Sequence, residues 1–214
     1  SFATSKLIKM KHRHTQVSKY KIFCDLDGVL VDFEQGVFDV TGRSTDDQTV
    51  TKMWNRILTF PKFFEQLKWM EDGEKLWEHI LNITDSIPTI LTGLPYSCKK
   101  KVHMEKRIWC KKHLGENTNV ITTQSVDKYK YSAHGHVLID DRYSHKKLWE
   151  TYGGIFIYHT SQERTLYELN RLYNKIDKIQ FNTNITSELE SYELLQNIYI
   201  ITDNWPNITD TVIG

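Results

Sequence analysis

The sequence predicts an α/β protein: a Rossmann-like, mainly parallel sheet with helices on both faces and a small helical unit inserted after the first strand. Three observations predict it. Short apolar runs alternate with segments of helical period, and Gly, Pro or polar residues mark the joints between them. Three of those runs end on residues suited to chemistry: Asp25 and Asp27 after the first, Thr92 in the second, Asp140 and Asp141 after the fourth. Ligands of open parallel sheets bind outside the carboxyl ends of the strands, so these residues point to one site.

Taken in order, residues 22–24 end a short buried strand, and Gly28 lets the chain turn behind it. The stretch 33–70 is rich in aromatics and reads as short helices at 33–40, 50–58 and 62–67, broken by Gly42 and Pro61. A helix over 74–81 has Leu76, Trp77 and Ile80 as its buried stripe. Pro88 precedes a second strand at 89–93, and 97–113 is a helix able to bury Val102, Met104, Ile108 and Trp109, with Gly115 just past its end. Strands at 119–123, 136–140 and 155–158 follow, with helices at 144–151 and 162–174. Beyond that, Ser187 with Glu190 suggests a capping box opening a helix, and 198–201 an edge strand or the start of a further domain.

With 214 residues the chain suffices for one well-buried domain plus an appendage. The formal net charge of +1 says nothing about partners, but its distribution does. Residues 1–24 hold Lys and Arg without an acid, and 179–214 hold acids without Lys or Arg. The expected organisation is a basic arm at 1–19, a core at 20–178 with its helical insertion at 33–70, and an acidic extension at 179–214. Cys24, Cys98 and Cys110 form no disulfide framework, which suits a reducing compartment, cytoplasmic in the first reading. The basic, acid-free start leaves a mitochondrial address as the other. No apolar stretch reaches the roughly 18 residues that span a bilayer, so no membrane partner is expected.

Asp25 and Asp27 are two residues apart and face the same way. Two carboxylates so close resist joint ionisation, and a bound Mg²⁺ removes the conflict, because hard cations prefer oxygen donors. The pair follows a buried strand and precedes Val29, Leu30 and Val31, a setting unlike that of solvated turn aspartates.

The stretch Asp25-Leu-Asp-Gly-Val-Leu-Val-Asp-Phe33 resembles the first motif of the haloacid dehalogenase (HAD) superfamily, and the chain is most similar within it to the 5′(3′)-deoxyribonucleotidases. The similarity runs from Lys21 to Tyr173 and includes Phe63-Phe64, Lys106, Trp109, Asp127-Lys128 and Leu138-Ile-Asp-Asp-Arg142. It implies a Mg²⁺-dependent phosphomonoesterase working through an aspartyl-phosphate, with Asp25 as nucleophile and Asp27 as general acid and base. It also implies that the metal is held by Asp25, the Asp27 carbonyl and the Asp140-Asp141 pair, Asp141 directly and Asp140 behind it. Thr92 and Gly93 would bind phosphoryl oxygens, and Lys128 would balance the charge of nucleophile and phosphate. Phe33 and Phe64 would face sugar and base, with Lys106 and Arg142 near the substrate. The implied substrate is a small phosphomonoester, a (deoxy)nucleoside monophosphate.

Two other readings stand beside it. The helix at 97–113 is rich in Lys and Arg, so the same site could act on the terminal phosphate of a polynucleotide, with nucleic acid as partner. Alternatively the fold serves as an interaction module with weak catalysis, its acidic tail making the contact.

Overall fold

A computed structural model of the chain describes residues 19–173. The basic arm apart from Lys19, the last residues of the expected core (174–178), the acidic extension, and the helix and strand expected within that extension lie outside the described residues. Five strands form one sheet: β1 (Lys21–Cys24), β2 (Thr89–Leu94), β3 (Val120–Gln124), β4 (His136–Asp140) and β5 (Ile155–Tyr158). All pair in parallel, in the order β3-β2-β1-β4-β5. The chain fills one side of β1 first, then crosses to β4, so the strand order reverses between β1 and β4. Such reversals open a crevice at the carboxyl ends of the strands.

Alternation along the strands sorts their side chains between two faces. Ile22, Cys24, Ile90, Val137 and Ile139 join the larger core, while Phe23, Leu91, Leu138 and Phe156 form the smaller one with Trp149. Trp149 comes from α5 (Lys146–Thr151), which covers that second face. The larger core is shared with α3 (Gly73–Ile83), α4 (Lys99–Leu114) and α6 (Gln162–Leu172).

Between β1 and β2 stand α1 (Phe33–Thr41), α2 (Val50–Thr59) and a single 3₁₀ turn, Phe64–Gln66. Asp32 caps α1 by accepting the Gln35 N–H at 2.9 Å, and Thr49 caps α2, each satisfying an end donor. Gly73 opens α3 where a Cβ would come within 2.5 Å of the Leu30 carbonyl, so only glycine lets the helix lie this close to the loop after β1. The insertion docks on α4. Lys101 Nζ donates to the Leu58 and Phe60 carbonyls, Trp109 Nε1 donates to the Leu67 carbonyl at 2.8 Å, and Glu105 accepts the Phe64 N–H at 3.1 Å.

That docking corrects the expected face of α4. Val102 and Trp109 are buried as anticipated, but Met104 and Ile108 are 51% and 41% exposed, and Glu105, Lys106 and Cys110 are buried in their place. Apolar residues fall on two sides of this helix, so hydrophobicity alone does not orient it. The polar contacts of Glu105 and Lys106 do.

Candidate active site

β1 stops at Cys24 and hands Asp25 to the crevice beside β4, where its N–H donates to the Ile139 carbonyl at 2.9 Å. The following residues wrap tightly: Leu30 and Val31 both donate to the Leu26 carbonyl, and Gly28 donates to that of Val31. Gly28 has φ +78°, and a Cβ on it would land on Asp141 Oδ2. Glycine is required twice here, by conformation and by the room Asp141 needs.

Asp25 is buried, with Oδ1 accepting the Leu26 N–H at 2.8 Å and Oδ2 paired with Lys128 Nζ at 2.7 Å. Lys128 is buried on the 3₁₀ segment Ser125–Tyr131 that follows β3, and its ammonium also pairs with Asp140 Oδ2 at 2.7 Å. Asp140 is saturated by the protein. Its Oδ1 accepts the Arg142 N–H at 2.8 Å, and its Oδ2 contacts His145 Nδ1 at 3.0 Å as well as Lys128. His145 Nε2 in turn lies 3.1 Å from Ser125 Oγ. Asp141 differs: its Oδ1 is buried without a hydrogen-bond partner.

Carboxylate oxygens of Asp25, Asp140 and Asp141 lie within 4.8 Å of one another. Three acids face one ammonium, and the electrostatics record the excess. Burial, reinforced by Asp25 and Asp140, pushes the Asp141 carboxyl up to about 7. Burial likewise raises Asp25 against the opposing pull of Lys128. For Asp140 burial works upward too, but the His145 hydrogen bond and the Lys128 charge outweigh it and lower its pKa. Burial alone would lower Lys128; the charges of Asp25 and Asp140 outweigh it and raise it. An all-oxygen donor set, an excess of negative charge and an orphaned buried carboxylate oxygen suit a hard divalent cation.

The opposite wall is built on Lys106, buried on α4. Its Nζ donates to Asp27 Oδ2 at 2.6 Å, to Thr92 Oγ1 at 2.8 Å and to the Gly93 carbonyl at 3.0 Å, which uses all three of its protons. Thr92 Oγ1 accepts from Lys106, so its own proton is free to point toward a ligand. Asp27 keeps its Oδ1 unpartnered. Gly93 has only ordinary contacts around the position of a missing Cβ, the nearest being Ser125. The structure thus brings together Asp25, Asp27, Thr92, Gly93, Lys106, Lys128, Asp140 and Asp141.

Phe33 and Phe64 adjoin this site within an aromatic cluster. Phe64 is buried, stacked with Phe33 at 6.2 Å and Trp54 at 6.5 Å, edged by Phe63 at 4.9 Å, with Lys106 Nζ 5.1 Å from its ring centre. Arg142 is exposed at the rim. Sequence reasoning did not single out Ser125 or His145. A Ser and a His in polar loops carry no local signal; the one hint was that His145 falls five positions after Asp140.

No protein-family model matches the sequence, and no curated protein matches it. Among solved structures, a HAD family hydrolase from Deinococcus radiodurans R1, crystallised with bound phosphate and sodium, is similar over 70% of this chain and 87% of its own, at 14% identity and a TM-score of 0.40.

Proposed function

We propose that this chain is a Mg²⁺-dependent phosphomonoesterase of the haloacid dehalogenase type, acting on nucleotide-class phosphomonoesters through an aspartyl-phosphate on Asp25. One observation carries the reading: a buried carboxylate at a strand end, paired with a buried lysine, lies beside a second carboxylate with an unpartnered oxygen. A structural ion pair would leave no oxygen unsatisfied in a site already too negative.

Asp25, Asp141 and the Asp27 carbonyl would hold Mg²⁺, with Asp140 behind them, since both of its oxygens are occupied by the protein. When bound, the ion neutralises the carboxylates and the phosphoryl charge, which lets two anions approach. Asp25 attacks phosphorus as the nucleophile. Lys128 has one proton left after its two carboxylate bonds and directs it to a phosphoryl oxygen, while Thr92 supplies a hydroxyl proton to another. Asp27 stays anchored through Oδ2 on Lys106, and its free Oδ1 delivers a proton to the leaving alkoxide, then takes one from the water that cleaves the aspartyl-phosphate. Lys106 has no proton to spare for substrate, so its role is to aim Asp27 and Thr92.

The test is phosphate release from nucleoside 5′- and 3′-monophosphates and from p-nitrophenyl phosphate, with Mg²⁺ or EDTA. Asp25→Asn, which keeps shape but loses the nucleophile, is expected to lower kcat by about a thousandfold or more. Turnover that ignores EDTA and persists in Asp25→Asn would overturn the assignment.

A further inference from the structure

We propose that the substrate of this site is the phosphorylated end of a single-stranded nucleic acid, bound along the outer face of α4 and over Tyr96. The inference rests on the phosphomonoesterase reading and adds the substrate class.

Two observations carry it. The first is the outer face of α4. Lys100, Met104, Arg107 and Lys111 recur at i, i+4, i+7 and i+11, so they form one stripe, with Lys99 and Ile108 beside it. Lys99, Lys100, Arg107 and Lys111 are exposed, and Met104 and Ile108 are exposed among them. The acid of the helix, Glu105, is buried against the insertion, so Lys111, paired with Glu116 at 3.0 Å, is the stripe cation with a carboxylate partner. Ordinary solvated faces mix both signs. Lysines in a first turn also oppose the helix dipole, so helix stability does not explain Lys99 and Lys100. Cations interleaved with exposed apolar side chains match a strand that offers both phosphates and base faces.

The second observation is where the stripe lies. Lys106, midway along α4, reaches the carboxyl end of β2, and His103 Nδ1 touches Thr122 Oγ1 at 2.8 Å on the neighbouring β3. Both contacts come from the inner side of α4; the outer stripe starts at Lys99 and Lys100, six and seven residues after Gly93, so it begins at the turn that leaves the carboxyl end of β2. Tyr96 is 85% exposed and lies three residues after Gly93, whose carbonyl is part of the site, so their Cα atoms are at most about 11 Å apart. Inside, Phe64 offers no open face: Phe33 and Trp54 stack on it, and Lys106 lies over the ring. Outside, Tyr96 offers a base an open aromatic ring. Asp25 is 5% exposed, so a strand must present its end rather than its middle. The reaction then converts a terminal phosphomonoester and water into a terminal hydroxyl and inorganic phosphate.

The test compares the full chain acting on 5′- and 3′-phosphorylated single-stranded RNA and DNA 10-mers, on the matching mononucleotides, and on p-nitrophenyl phosphate. One set of oligonucleotides should exceed its mononucleotide in kcat/KM by about tenfold or more, the scale of stacking one base on an aromatic ring. Lys99→Glu/Lys100→Glu/Arg107→Glu should remove that advantage and reduce the logarithmic salt slope of oligonucleotide binding by about 2, while p-nitrophenyl phosphate turnover stays unchanged. Tyr96→Ala should raise the oligonucleotide KM alone. Equal kcat/KM for polymer and monomer, or a triple variant that treats oligonucleotides as the wild type does, overturns the proposal. Fluorescence anisotropy with the same labelled 10-mers separates the two failures. Salt-dependent, Lys100-dependent binding without any hydrolysis sinks the phosphatase reading and retains the nucleic-acid face. Hydrolysis of p-nitrophenyl phosphate without oligonucleotide binding, or binding to anionic vesicles in its place, sinks the face.

Discussion

Lys128 sets the charge balance of the crevice, since its ammonium pairs with both Asp25 and Asp140. Lys128→Met should leave those carboxylates buried and uncompensated, at a cost of about 3–5 kcal/mol in metal-free protein, read by urea denaturation. A loss under 1 kcal/mol, the scale of an exposed ion pair, would mean that no uncompensated buried charge is left behind. His145 acts on the same carboxylate from the other side and passes a contact on to Ser125. His145→Ala should lower kcat by about 10–100-fold with KM nearly unchanged. His145→Asn, which restores a donor near the Nδ1 position, should recover part of it. Equal effects of both variants on kcat and KM would speak for general loosening of the site.

At the scale of elements, α4 connects the sheet to the helical insertion, and one short segment of it faces both. Glu105 holds the Phe64 N–H while the adjacent Lys106 holds Asp27 and Thr92. Glu105→Ala would strand a buried N–H and should cost about 1–3 kcal/mol, seen as a lower urea midpoint at unchanged slope. The element order was legible because the periods of strands and helices are local. The face of α4 was not, since Val102 and Trp109 compete with Met104 and Ile108 for the inward side. Nor was the 3₁₀ segment Ser125–Tyr131 legible, because a short polar stretch has no amphipathic period to read; resemblance alone marked its Lys128.

For the whole molecule, the site's excess of negative charge links folding, metal and pH. Asp141 has a folded pKa of about 7 against an ordinary value of 3.8. Its raised value favours the fold while the group is protonated, so in metal-free protein that contribution is complete below pH 3.8 and is lost as pH rises through about 7. Mg²⁺ held by Asp141, as proposed, would compete with that proton, so its affinity should weaken as pH falls below about 7. With the ion supplied at a hundredfold its Kd at pH 8, Mg²⁺ should stabilise the protein over EDTA in thermal melts by about 2.7 kcal/mol at that pH, and the same concentration by less at pH 5.5. An equal difference at both pH values would remove Asp141 from the ligand set. Among the described residues no helix is long and apolar enough to cross a membrane.

By itself the sequence determined the strand ends and the acids that ride on them, because backbone alternation and turn chemistry act over a few neighbouring residues. Asp25, Thr92, Asp140 and Asp141 could be named as one group for that reason. The tertiary structure decided which charges meet. Lys106 and Asp27 stand 79 positions apart, and Ser125 reaches His145 from the loop after β3 to the loop after β4. Such pairings follow from how helices pack on a finished sheet, where burial makes each unpaired charge costly enough to choose its partner.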